Sequence, residues 1–407
     1  MSTSFDREIL GLPFYEPRHL DHAQRLDRWC AGHTDLWDVP HEQDEFREQA
    51  VRRTLRALGE DGWFGFLDPA NGRPADGDFR TLCLGREILA YTDDTPDNCF
   101  AVHTLAARPI TRFGTDAQKA RYLPGLASGE LIASFALSEL DRGSDIAGLG
   151  LRAERDGEDY VLNGDKAWIA HAAIADVLCV IARTGEGPGA LGLTAFLVPG
   201  ASPGLRVRER IAAIAPRAFA HLDFEDCRVP AECVLGRPGQ GFVVAMDMLD
   251  RYRMTVGAAA VGYARRAADA ALGWARARPM GEATLFDLPT IRATFADMEV
   301  KLNAAALLVA RAAWETDTGN RRFARHSSIA KLHATEAAQE IVDASVQVFG
   351  AAGLVSGSVP ERLYRQVRAL RVYEGTSEIQ KTIIASAIDP RRATPANPER
   401  NRALTER

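Results

Sequence analysis

The feature that most constrains this chain is residues 245–278, where a helical apolar pattern continues almost without a break. Helical patterns recur after it. Pro289 sits at the favoured first position of a second helix, and residues 326–349 and 360–371 carry two more. Long helices with short connections predict an antiparallel four-helix bundle over 241–390. Residues 43–133 are also helical in pattern, as in 45–58 (EFREQAVRRTLRAL), where apolar residues recur three or four apart. The first forty residues, with Pro13, Pro17 and Pro40, are less regular and are expected to wrap the surface of this helical domain, 1–133. Between the helical regions the period changes. Short β-rich runs at 160–162 (YVL), 176–182 (DVLCVIA), 193–198 (LTAFLV) and 221–225 (HLDFE) are separated by Gly, Pro and Asn turns. Strands this close, without helices between them, predict an antiparallel sandwich or barrel over 134–240. The fold class is therefore α+β, in the order α, β, α, with a flexible tail at 391–407.

Composition narrows the function classes. Of 407 residues, 46% are hydrophobic and 26% charged, with a net charge of -6, so no basic stripe suggests nucleic-acid binding. Nowhere do about eighteen apolar residues run uninterrupted, so no membrane-spanning helix is expected. The start, MSTSFDRE, has charges where a secretory signal needs an apolar core, which points to the cytoplasm. Six scattered cysteines, with no C-x-x-C pair, predict reduced thiols and no metal site.

Several local patterns carry potential chemistry, and each has a plain alternative. Residues 187–192 (GPGALG) match G-x-G-x-x-G, but they lie between two strand patterns and read as a hairpin loop. In 136–145 (ALSELDRGSD), Gly143 and Ser144 form a polar turn able to hold a phosphate, or simply a turn. Trp168, on a strand in 163–170 (NGDKAWIA), reads by itself as core. Residues 249–253 (LDRYR) read as a solvated helix face, and 347–353 (QVFGAAG) as a glycine-rich helix end. In 371–380 (RVYEGTSEIQ), Ser377 and Gln380 have capping-box spacing, and Gly375 leaves room beside Glu374 for a flat ligand. A capped helix explains the polar residues there. It leaves open whether Glu374 is a surface acid or a base.

Taken in order, "ALSELDRGSD", "YVLNGDKAWIA", "DFEDCRVP", "LDRYR", "WARAR", "QVFGAAG" and "VYEGTSEIQ" resemble the acyl-CoA dehydrogenases, from about residue 80 to 388. The resemblance implies FAD between the β domain and the bundle, its adenosine part reaching a neighbouring subunit of a homodimer or homotetramer. It implies that Leu137 and Ser138 contact the flavin ring, that Gly143 and Ser144 lie near phosphates, and that Trp168 packs on the isoalloxazine beside Ala170. Arg278, Gln347 and Gly350 would reach the partner's FAD, while Thr376 and Glu378 flank the pyrophosphate. Ser144, Asp250, Arg253, Tyr373 and Gly375 would meet the substrate. Glu374 matches the family's catalytic base. Some members carry that base on the long helix, where this chain has Tyr252. The implied reaction is α,β-dehydrogenation of an acyl-CoA or acyl-carrier-protein thioester. Glu374 would take the α-proton and flavin N5 the β-hydride, and electrons would pass to an electron-transfer flavoprotein. Burial should raise the Glu374 pKa, against the pull of the nearby helix terminus.

Departures from the family pattern stand beside these matches. The usual W-I-T-N is Trp168-Ile-Ala-His171, and R-x-x-F-G is Arg278-Pro-Met-Gly-Glu282. Ala351 replaces a glycine, and Pro289 a common glutamine. The loss of a hydroxyl at Ala170 keeps an acyl-CoA oxidase or a flavin monooxygenase as the alternative function on the same fold.

Overall fold

A computed structural model describes residues 4–37, 44–67, 78–215, 217–320 and 323–389. The tail expected at 391–407 lies outside them, as does Pro40. The chain opens with helices α1 (Arg7–Leu10), α2 (Pro17–Gly32), α3 (Asp44–Glu60), α4 (Phe79–Thr92), α5 (Asp94–Phe113) and α6 (Asp116–Ala127). Helix α2 corrects the expectation of irregular structure before residue 40. Pro17 is its first residue, where the missing N–H costs nothing, and His19 returns a capping bond to Glu16. Strands follow: β1 (Ala133–Ala136), β2 (Arg152–Asp156), β3 (Asp159–Ala170), β4 (Val177–Arg183), β5 (Leu193–Pro199), β6 (Leu205–Ile211), β7 (Phe219–Pro230) and β8 (Val234–Leu235). The rest comprises α7 (Gly241–Ala277), a two-stranded hairpin of β9 (Pro279–Met280) and β10 (Ala283–Thr284), α8 (Pro289–Asp317), α9 (Phe323–Phe349), α10 (Val359–Arg368) and α11 (Ser377–Ile388).

The strands form one sheet in the order β6-β7-β3-β2-β4-β5-β8, with β1 also paired to β4. Most neighbours are antiparallel, as expected, but β1 and β2 run parallel to β4. Strand β4 reads as an unbroken apolar run because both of its faces are buried. Val177, Cys179 and Ile181 join the core shared with the helices, while Leu178, Val180 and Ala182 face a second core within the β domain. The 187–192 glycines turn between antiparallel β4 and β5, as the hairpin reading requires.

Helix α7 is buried from Tyr252 to Ala264 on every side, so its small residues set how closely other helices approach. A Cβ on Gly262 would stand 2.1 Å from the carbonyl oxygen of Glu87 in α4. Gly262→Ala is therefore expected to lower stability by about 1–3 kcal/mol, although alanine is the better helix former. The urea midpoint of the holoprotein checks this; an unchanged or higher midpoint would mean that α4 can give way. All six cysteines are buried and free. Among the described residues no helix is long and apolar enough to cross a membrane, and no cluster of metal ligands occurs.

Candidate active site

Three segments meet at the junction of the β domain, α5 and the bundle. They are the 137–144 loop after β1, the end of β3, and the 372–376 loop between α10 and α11. The cavity between them measures about 510 Å3, within the ordinary range for a ligand site.

Glu374 occupies the left-handed region at φ +53°, and Gly375 follows at φ +92°. Residues of that conformation persist when their surroundings fix them, and here two side chains do so. Gln380 Nε2 donates to the carbonyls of Glu374 (3.1 Å) and Gly375 (3.0 Å), and Lys331 Nζ donates to Gly375 (2.7 Å). The φ of +92° at Gly375 is one that L side chains rarely adopt, and a Cβ there would also press on Gln380 Nε2 at 2.6 Å, so the position favours glycine. The capping box read at Ser377 and Gln380 does not form. Thr376 caps α11, accepting from the backbone N–H of Ile379, while the Ser377 hydroxyl donates to Glu336 at 2.5 Å. Gln380 is thereby free to hold the loop.

Glu374 lines the cavity, and its Oε2 is buried with no hydrogen-bond partner among the described residues. Burial raises its pKa; the cations Arg86, Lys331 and Arg253 oppose the shift without cancelling it. Desolvation thus dominates, and the opposing charge comes from these cations. Arg86 forks onto Asp97 at 2.8 and 2.9 Å and reaches Thr255 at 3.2 Å. Burial pulls Lys331 down to about 8. Tyr252, at the alternative base position, donates its hydroxyl to Thr104 O at 2.9 Å, and burial pushes its pKa up to about 12. A phenol so placed cannot act as a base near neutral pH.

The opposite wall is built by a buried lysine. Lys166 Nζ donates to Leu137 O (2.8 Å) and to Glu139 Oε1 (3.0 Å), while the Glu139 carboxylate accepts from the N–H groups of Gly150 and Leu151. The Ala167 N–H donates to Ser138 O at 2.8 Å, fixing the loop onto β3. The core reading of Trp168 is corrected: the residue is 57% exposed and lines the cavity. A bulge between Lys166 and Ile169, with Trp168 at φ +60°, turns its ring off the sheet and edge-on to His221 at 4.7 Å.

The cavity thus gathers Leu137, Ser138, Gly143, Ser144, Trp168 and Ala170 from one wall and Arg253, Tyr373, Glu374, Gly375 and Thr376 from the other. Asp250 stands beside it, ion-paired with Arg253. Glu378 is exposed on the first turn of α11. Arg278, Gln347 and Gly350 lie elsewhere. Arg278 ends α7, about 37 Å along the helix from Arg253 at 1.5 Å per residue, and Gln347 and Gly350 are exposed at the end of α9. There Trp274 stacks on Phe349 at 4.8 Å with the Arg278 guanidinium 5.8 Å from its ring, an aromatic surface where the R-x-x-F-G phenylalanine is absent.

The walls suit a flavin. An exposed indole offers a stacking face, hydroxyls of Ser138, Ser144 and Thr376 offer polar contacts, and Glu374 lines the same space. Lys331, Gln380, Lys166, Glu139, Arg86 and Arg217 were not evident from the sequence as site residues. One signal was available: Lys331 falls on the small-residue stripe Ser327, Ala330, Ala334 and Ala338, a face no solvated lysine would share.

The helical, β and helical order, with a desolvated acid and an exposed indole lining one cavity, suits a flavoenzyme. Models of the acyl-CoA dehydrogenase N-terminal, middle and C-terminal domains match residues 23–130, 134–227 and 239–388. The chain is 40% identical over 366 residues to the short-chain specific acyl-CoA dehydrogenase, mitochondrial, of Mus musculus, covering 89% of each chain. It is similar to the structure of butyryl-CoA dehydrogenase from Megasphaera elsdenii, with TM-score 0.84, 30% identity, and coverage of 92% of this chain and 98% of that one. It is also similar to a glutaryl-CoA dehydrogenase from Mycobacterium smegmatis in complex with FADH2, with TM-score 0.82, 25% identity, and coverage of 93% and 96%. The chain belongs to the acyl-CoA dehydrogenase family and is an FAD-dependent oxidoreductase.

Proposed function

We propose that the protein introduces an α,β double bond into a short acyl thioester, with Glu374 removing the α-proton. The observation that carries this reading is the buried, unpartnered Oε2 of Glu374 in a cavity faced by Trp168. An α-proton of a thioester is weakly acidic, so the base must be desolvated and the developing enolate must find donors. The Glu374 backbone N–H is the protein donor for that oxyanion, and Gln380 and Lys331 hold the peptide that presents it. Leu137 and Ser138 bind the ring of the cofactor, Trp168 and Ala170 flank it, and Ser144 and Thr376 bind phosphates. Bound FAD supplies the hydride acceptor. Arg253, backed by Asp250, and Tyr373 orient the thioester. The short acyl length rests on likeness to short-chain and butyryl-CoA relatives.

The exposed residues Arg278, Gln347 and Gly350 support a homodimer or homotetramer in which they meet the partner's cofactor. An electron-transfer flavoprotein is the proposed acceptor. The chain divides into units 1–133, 134–240 and 241–390 on this reading. Anaerobic addition of acyl thioesters to the holoenzyme tests it: bleaching of the flavin supports the dehydrogenase, and no bleaching by any thioester overturns it. Peroxide formed in air would identify an oxidase instead.

The pH dependence has a defined sign. A base works when ionised, and burial raises the pKa of Glu374. The rate of flavin reduction should therefore rise with pH, its acid limb lying above the ordinary carboxylate range. Stopped-flow reduction across pH checks this; a rate independent of pH from weakly acid to neutral conditions would contradict it.

A further inference from the structure

The substrate cavity carries charge on its wall. Arg86 and Arg217, 2% and 3% exposed, line it with Asn98, each guanidinium forked onto a buried carboxylate. Arg217 donates to Asp94 through Nε (3.0 Å) and Nη2 (2.6 Å), and Asp94 also accepts from the Tyr263 hydroxyl at 2.5 Å. The third nitrogen, Nη1, is buried and has no partner among the described residues. The Arg217 guanidinium lies 5.4 Å from the ring centre of Tyr373, the residue before Glu374. These groups form a polar patch in a wall that is otherwise largely apolar, with Ala101, Val102, Leu105 and Phe219 among its residues. Buried ion pairs are no better for stability than apolar packing, and a buried N–H without an acceptor is a cost that a ligand can remove.

We propose that the acyl group of the substrate carries a hydrogen-bond-accepting oxygen beyond its β-carbon, received by Arg217 Nη1 and Asn98. This rests on the dehydrogenase reading above and narrows its substrate class. Plain alkyl thioesters lose that contact, and the unpaired nitrogen then opposes their binding. A competing occupant exists. A chamber of about 10 Å3 behind the wall, shared by Arg217, Asn98, Asp94 and Thr95, is near the size of one water. A water held there on Nη1 would make alkyl and oxygen-bearing thioesters equal substrates, a result that would overturn the inference.

The test compares anaerobic flavin reduction in the holoenzyme by butyryl-, pentanoyl-, 4-hydroxybutyryl- and glutaryl-CoA. An oxygen-bearing thioester is expected to exceed the alkyl thioester of matched length by roughly tenfold or more in kcat/KM. The hydroxyl and carboxylate arms separate a neutral acceptor from an anionic one. The double variant Arg217→Leu/Asp94→Leu removes the pair together, so no charge is left buried alone, and Asn98→Leu leaves both ion pairs intact. Both should bring the ratio toward one. Equal or better use of the alkyl thioesters, or a preference that survives both variants, overturns the inference and leaves the dehydrogenase standing. No reduction by any thioester overturns the dehydrogenase and the inference with it.

Discussion

Glu374→Gln should slow anaerobic flavin reduction by about 10^3-fold or more, with FAD binding and fold retained. The size of the effect follows from the role: positioned proton transfer contributes roughly 10^2–10^4, and Tyr252, at the other position where relatives carry the base, is held as a neutral phenol bonded to Thr104. Retention of the fold follows from the geometry. The loop is fixed through backbone carbonyls by Gln380 and Lys331, and the Glu374 side chain takes no part in that. Glutamine has the same shape and removes a carboxylate whose ionised form is disfavoured by burial. Stopped-flow spectroscopy with a competent thioester measures the rate. Reduction within tenfold of the wild type would mean that another group takes the proton.

The largest stability effect is expected at Arg86. Its guanidinium forks onto Asp97, both groups being almost wholly buried, and also reaches Thr255 in α7. Among the described residues, Arg86→Ala leaves Asp97 in the interior with only a long contact from Tyr263, at 3.5 Å. Removing one member of a buried pair costs about 3–5 kcal/mol, because the other charge stays uncompensated. Arg86→Leu/Asp97→Leu should recover much of that loss. The single variant has a second signature: Arg86 is the leading charge that opposes the raised pKa of Glu374, so the acid limb of the rate profile should move higher. Urea unfolding of the holoprotein measures the first effect and the pH profile the second. A single-variant loss under about 1 kcal/mol would show that the pair contributes no more than an exposed one.

Periodicity made the architecture legible, because long helices and doubly buried strands imprint their environment on sequence. Helix α2 is hidden in the sequence because the prolines around it read as irregular, although Pro17 opens a helix. The exposure of Trp168 is not legible from its strand alone, because a bulge reverses which face a residue meets and nothing local marks it; only the order of motifs points to the flavin. At 376–380 the local pattern fits two caps, and a distant acid, Glu336, decides between them by claiming Ser377. Glu374 emerged from the order of motifs along the chain. The charged wall did not. Arg217 and Asp94 are 123 residues apart, and such a pairing exists only once the β domain has docked on α5.

The central claim is that Glu374 removes the α-proton of a thioester. The most direct measurement is deuterium entry at that carbon, with holoenzyme and thioester incubated in D2O without an electron acceptor and followed by mass spectrometry. The wild type is expected to label the α-position, and Glu374→Gln to label it no faster than the thioester alone. Labelling by Glu374→Gln at the wild-type rate would contradict the account.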